Sequence, residues 1–432
     1  MNLHQSSPAS AAIPLARQGP WSPTFRPARA PGRGITDSYL RLLTWTSIAY
    51  IVASQGLVYF SGWSRLGVLC AIFLAFLLAA GWICRLADFP HAGWVWLPLA
   101  FVVYALVRAI PEHGHPWPTD VLLKLPSAFL GGVGIGLALQ AGVPFRALAL
   151  AQTLIFLGNV VAVSAGIGSE APAEVDAGRQ SGLTGNANEL AMQLTLGACL
   201  VWLAPKKSGR SLLLLAFAAL IYGILTTGSR KSLIVAVCFL VLAAIQTRGF
   251  WRTRLSRVVL ALAAPLVLFA LLLAIPLLQE SRHIVAVKRT LDYRDSSFNL
   301  RVAMARQAFR LWHDAPLVGW GTDSFRQISG FEKYAHSNYA ELLCDLGVLG
   351  CCLFYALHVY ILFKCLRLPR PWGVACALFV LMLAAVDTGL VSYTRKQTIM
   401  LLMILAAAVS TPNILLAPPR QALRRFSTAR KF

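Results

Sequence analysis

Runs of about 20 apolar residues recur from Tyr39 to Leu416, and a run of that length crosses the ~30 Å hydrocarbon core of a bilayer as a helix. Inside a bilayer every backbone N–H and C=O needs a partner within the chain, so runs this long dictate α-helices. Their boundaries predict twelve spans, at 39–60, 66–84, 93–110, 121–141, 144–167, 186–204, 211–227, 230–246, 255–278, 337–363, 372–390 and 397–416. The fold class is therefore read as an all-α polytopic membrane protein. Only 13% of the residues are charged, against about a quarter in a soluble protein. Gly131, Gly132, Gly134 and Gly136 crowd the fourth span, where small residues let helices approach closely in lipid.

Around these spans the chain divides into five regions. Residues 1–36 hold six prolines, four arginines and no acid. They read as a disordered basic arm rather than a cleaved signal, because no apolar core of signal-peptide length is present. Residues 37–278 form a bundle of about nine spans, 279–335 a long polar loop, 336–416 the last helices and 417–432 a basic tail. The net charge of +22 points at first to nucleic acid, but its distribution points to a membrane. With twelve spans, one side receives both termini and the loops near 85, 146, 206–210, 248–257 and 364–370. Asp37 and Asp88 are the only acids there, so that side nets about +20 and the other about +2. By the positive-inside rule both termini are cytoplasmic and the loop 279–335 faces outward.

That loop is basic although it faces outward, with nine Lys and Arg between Arg282 and Lys333. One reading is a solvated loop balanced by its own acids. The other is a site for an anionic substrate. Within the loop, Ser297–Trp312 has helical periodicity that aligns Arg301, Ala305, Ala308 and Trp312, and Pro316 with Gly319-Trp320-Gly321 ends it. The loop then runs directly into an apolar helix at HSNYAELLCDLGVLG, with His336 at the junction and Asn338 and Glu341 just inside. A second outward site is TTGSRKS at 226–232. Arg230 and Lys231 either snorkel at the first turn of a helix, against its dipole, or line a polar pocket where the guanidinium grips phosphate oxygens. A third is SGLTGNANELA, where Asn188 and Glu189 enter the sixth span. His113 and His115 lack an acid or cysteine at ligand spacing, and the nine cysteines show no CxxC pair. Neither zinc nor structural disulfides are expected. No Walker loop, no GxGxxG after a strand and no serine elbow is present, which argues against a nucleotide-sugar enzyme.

TGSRKS, then Arg301, APLVGWGTDSF and HSNYAELLCDLGVLG together resemble the O-antigen ligase and polysaccharide polymerase superfamily of bacterial inner membranes, over roughly Ser181 to Leu349. There is a fainter likeness to exopolysaccharide polymerases of the xanthan type. The resemblance implies a multi-helix GT-C-like glycosyltransferase that works at the periplasmic face on a saccharide carried by undecaprenyl diphosphate, with neither metal nor cofactor. It implies Arg230, Arg301 and His336 as catalytic residues; Asn188, Lys231, Asn338 and Glu341, beside them in the sequence or at the sixth span's entry, are expected to bind substrate. The implied partners are the lipid-linked oligosaccharide, the growing chain, the bilayer, and a flippase with chain-length or export proteins, but no nucleic acid.

The chemistry is consistent with those residue types. Breaking a sugar C1–diphosphate bond builds negative charge on the diphosphate, and fixed arginines can meet it without a metal. A histidine can orient the attacking hydroxyl or take its proton. A polymerase moves the chain onto another lipid-linked repeat. A ligase moves it onto lipid A core, and a third acceptor is a protein side chain. The short loop between Arg301 and His336 favours the polymerase. A transporter or flippase of lipid-linked sugars would also need basic outward residues, but not a histidine at that junction.

Overall fold

A computed structural model describes residues 33–56, 63–87, 89, 92–110, 119–165, 190, 191, 193, 194, 222, 296–389, 391–412 and 414. Every element among them is helical. The α-helices are α1 (Arg33–Ile51, closing in a π-helical turn Val52–Gly56), α2 (Trp63–Ile83), α3 (Trp96–Val107, entered through a 3-10 turn Ala92–Val95), α4 (Thr119–Gln140) and α5 (Phe145–Ser164). After them come α6 (Ser296–Asp314), α7 (Ser324–Ile328), α8 (Asn338–Cys365), α9 (Arg370–Val386) and α10 (Lys396–Ser410).

Four described helices contain spans long and apolar enough to cross a membrane, at Arg65–Ile83, Val121–Gln140, Phe145–Ser164 and Asn338–Cys365; Ala92–Val107, Trp372–Val386 and Lys396–Ser410 are shorter and apolar. Each lies within a few residues of an expected span. The expected spans at 186–204, 211–227, 230–246 and 255–278 fall outside the described residues but for five positions. Helix α1 begins at Arg33, within the last residues of the stretch 1–36. Hydropathy marks where a chain crosses lipid, whereas a helix extends as far as its backbone bonds continue.

Among the described helices the central one is α10, buried without interruption from Gln397 to Val409. It lies against α4, and the α4 glycines are what let it come so close. A Cβ on Gly132 would lie 3.0 Å from Met403 Cγ, and one on Gly136 would lie 3.0 Å from the Met403 carbonyl oxygen. Gly131 and Gly134 face other neighbours: a Cβ there would meet the Tyr50 ring at 2.0 Å and Leu74 at 2.8 Å. One helix thus seats three partners through four glycines, which is packing by close approach where lipid supplies no hydrophobic drive.

Successive helices alternate between two ends of the bundle. At one end Gln140 Nε2 donates to Thr411 Oγ1 at 3.2 Å and Tyr39 donates to the Leu77 carbonyl at 3.1 Å. The other end gathers the close of α3, the loop and half-helix around α8, and the connection 387–395. The candidate site is built at that second end.

Candidate functional site

Helix α6 is amphipathic and packs on the first turns of α8. Met304, Ala308, Phe325, Ala335, Ala340 and Cys344 form a small core of their own, apart from the main one. Two members of the expected stripe join this core, Ala308 fully buried and Ala305 packed partly against it, while Trp312 does not. Arg301, half-buried, precedes buried Met304 by one turn. The face that carries Arg301 therefore meets Ala335, the residue before His336. The helix ends as expected at Pro316: Trp312 Nε1 donates to its carbonyl at 2.9 Å, and Trp320 Nε1 donates to the Leu311 carbonyl at 2.8 Å.

His336 stands in the left-handed region, φ 56°, which non-glycine residues seldom adopt. Its backbone is bracketed. On one side the Ala335 N–H donates to Glu341 Oε2 at 2.6 Å. On the other, Ser337 caps α8 by accepting from the Ala340 N–H. The imidazole lies 4.2 Å from the Tyr334 ring, centroid to centroid.

Asn338 and Glu341 both have partners within the protein. Asn338 is fully buried. Its Nδ2 donates to the Tyr355 hydroxyl at 3.0 Å and to Asp387 Oδ2 at 3.3 Å, while Oδ1 accepts from the N–H groups of Ser392 at 2.8 Å and Tyr393 at 3.1 Å. A side-chain amide has two donors and two acceptor sites, and the protein itself occupies all four. Glu341 is 2% exposed and turns back to the Ala335 amide. Both are framework around His336 in this structure, because a fixed left-handed residue needs both of its flanks held. The connection between α9 and α10 is thereby fastened two residues from the histidine, bringing Arg395 and Lys396 to the same end. Tyr393 in that connection donates to Asp345 Oδ2 at 3.3 Å. Burial, then the nearby Asp345 and Glu341 carboxylates, hold its phenol well above the ordinary range, so it stays a donor.

The sequence reading missed a break inside α8. Gly347 has φ 65° and ψ −171°, which interrupts the i→i−4 ladder. Backbone groups stranded by such a break must find other partners, and the loop after α6 provides most of them. Trp320 N–H donates to the Cys344 carbonyl at 2.9 Å and Gly321 N–H to the Asp345 carbonyl at 2.8 Å. Val348 and Leu349 N–H donate to the Pro316 and Leu317 carbonyls at 2.9 and 3.1 Å. The Tyr104 hydroxyl donates to the Leu346 carbonyl at 3.0 Å. The end of α3 joins in: Arg108 Nη2 donates to the Gly319 carbonyl at 3.0 Å and Thr322 Oγ1 to the Ala105 carbonyl at 2.6 Å. Asp345, fully buried, accepts from the N–H groups of Asp323 at 3.0 Å and Phe325 at 2.8 Å and from Ser324 Oγ at 3.1 Å, tying the start of α7 to α8. Without the break, the run of 28 residues would be about 42 Å long as a helix, more than a ~30 Å bilayer core needs. From Val348 onward it is about 27 Å. The turns that hold the histidine segment thus stand beyond the membrane-length part.

Arg230, Lys231 and Asn188 lie outside the described residues, as do His113 and His115. Among the described residues no group of three or more His, Cys, Asp or Glu is arranged to hold a metal ion. Residues 214–355, about a third of the chain, match the family model of the O-antigen ligases. The match contains Arg230, Lys231, Arg301, His336, Asn338 and Glu341, and it stops short of Asn188. No curated protein sequence matches the chain.

Proposed function

We propose that this chain, which carries an O-antigen ligase family domain over residues 214–355, is a bacterial inner-membrane glycosyltransferase that elongates a polysaccharide. The donor is a growing glycan on undecaprenyl diphosphate, and the acceptor is a lipid-linked repeat unit. One observation carries the reading: Arg230, Arg301 and His336 all fall within the matched stretch, and the helix bearing Arg301 packs against the segment bearing His336.

In this mechanism Arg230 and Arg301 clamp the diphosphate. The acceptor oxygen attacks the sugar C1, and the C1–O bond to phosphate breaks with its electron pair. Undecaprenyl diphosphate departs while His336 takes the hydroxyl proton. The anomeric centre inverts in this single displacement. Guanidinium groups in a fixed setting stabilise the leaving diphosphate as a divalent ion would, so turnover in excess EDTA should equal that without it. Restoration by magnesium after a chelation loss would refute the clamp.

The test is chain growth by purified protein given lipid-linked repeats. Longer lipid-linked glycans are the expected product. Transfer to lipid A core alone would instead establish the second reading, ligation, which the family's description favours. Movement of the lipid-linked sugar across vesicles with no new glycosidic bond would mean a transporter.

The reading also fixes an orientation, with both termini cytoplasmic and 279–335 periplasmic. A membrane-impermeant thiol reagent applied to intact spheroplasts should label Thr290→Cys and leave Arg425→Cys unlabelled. The reverse pattern would invert the topology.

A further inference from the structure

We infer that Glu341 is a positioning residue for His336, acting through the backbone of Ala335; this rests on the proposed role of His336. Three observations carry it. First, the carboxylate lies on the first turn of α8 with 2% of the residue exposed, and its Oε2 receives the Ala335 N–H at 2.6 Å. Second, the next residue is His336 at φ 56°. A non-glycine residue keeps that conformation only where its surroundings over-determine it. Third, the neighbouring anchors described here hold different points. The Ala335 methyl is buried in the small core with Met304 and Ala308, and the Asn338 N–H donates to the Asp387 carbonyl at 2.8 Å. The Glu341 bond holds the peptide joining Tyr334 to Ala335, one peptide before the one that enters His336 from the loop side. Asp345, one turn further along the same face, holds Asp323, Ser324 and Phe325 instead. The two buried acids therefore have separate duties, one to the histidine segment and one to the loop.

What the Ala335 amide needs is an acceptor oxygen at the end of a chain of fixed length. A carboxamide supplies that oxygen equally well, whereas a side chain one methylene shorter does not reach. Displacing a catalytic group by about 1 Å costs on the order of 100-fold in rate. Glu341→Ala and Glu341→Asp should therefore lower kcat about 100-fold while donor KM stays within about threefold, because the arginines that hold the diphosphate are untouched. Glu341→Gln should stay within about threefold of wild type, since the acceptor is retained. Hydrogen exchange at the Ala335 amide, read by mass spectrometry, should be slow in wild type and Glu341→Gln and fast in the other two. Glu341→Asp keeps the charge and most of the volume, so it serves where Glu341→Ala does not insert. Equal damage from Gln and Ala, or slow exchange at Ala335 in Glu341→Ala, would overturn the inference. His336→Ala runs alongside: if it is inactive while Glu341→Ala and Glu341→Asp turn over like wild type, the positioning role alone fails. Wild-type turnover in His336→Ala would remove the reading beneath it.

Discussion

Arg301→Ala should reduce glycosyl transfer by roughly 100- to 1000-fold, the usual cost of removing one preorganised donor from a developing anion. The protein should still insert, because Arg301 is a half-buried residue on the edge of the small core rather than part of its packing. Arg301→Lys should fail nearly as badly, since an ammonium keeps the charge but loses the planar fork that grips two phosphate oxygens. His336→Ala should fall to a similar depth through the acceptor step, with donor affinity largely kept. Arg310, on the same helix but exposed, is the control, and Arg310→Ala should be mild. These comparisons require equal amounts of each variant in the membrane. Equal damage from Arg310→Ala and Arg301→Ala would mean that general basicity, not a clamp, is what matters.

The second large effect is on folding. Gly319→Ala and Gly347→Ala should each abolish the folded, monodisperse protein. Gly319 has φ 69°, and a Cβ there would sit 2.4 Å from the carbonyl carbon and oxygen of Asp345. Gly347 has φ 65°, and its Cβ would meet the Leu317 carbonyl oxygen at 2.3 Å. The left-handed backbone alone costs about 1–3 kcal/mol for a residue with a side chain. The obstructing atoms are backbone engaged in the loop-to-helix hydrogen bonds, so they cannot step aside without undoing the splice. Gly158→Ala is the comparison, because a Cβ there meets nothing within 4 Å. Size-exclusion profiles and thermal unfolding in detergent give the readout. A Gly347→Ala protein that melts with wild type would show that the two backbones do not need this approach.

Much of the helical layout was legible because length and hydropathy act locally. A run from 121 to 141 or from 144 to 167 must be a helix in lipid, and α4 and α5 are there. The glycines of α4 were legible as contact residues, but not which neighbour each one takes. Periodicity identified α6, whose Ala305 and Ala308 do meet the small core. The break at Gly347 was hidden because LGVLG reads as continuous apolar helix. Its signal was length, since 28 residues exceed what a span needs. The internal partners of Asn338 were hidden for a related reason. A polar residue near a candidate histidine looks the same in sequence whether it faces substrate or a neighbouring loop, and the partners that decide it, Asp387, Ser392 and Tyr393, lie about fifty residues downstream.

The helix buried at the centre of the described bundle, α10, is also its last-made member. A ribosome delivers α1 to α9 before the residues that fill the space between α4 and α8 leave the exit tunnel. Until then Gly132 and Gly136 lack the Met403 they pack against, and Asn338 has no Ser392 or Tyr393 to hold. The turn carrying His336 therefore lacks its final fastening for as long as the chain is still being synthesised. A chain cut short after α9 would keep Arg301 and His336 but lose the Ser392 and Tyr393 bonds that hold Asn338, two residues from the histidine.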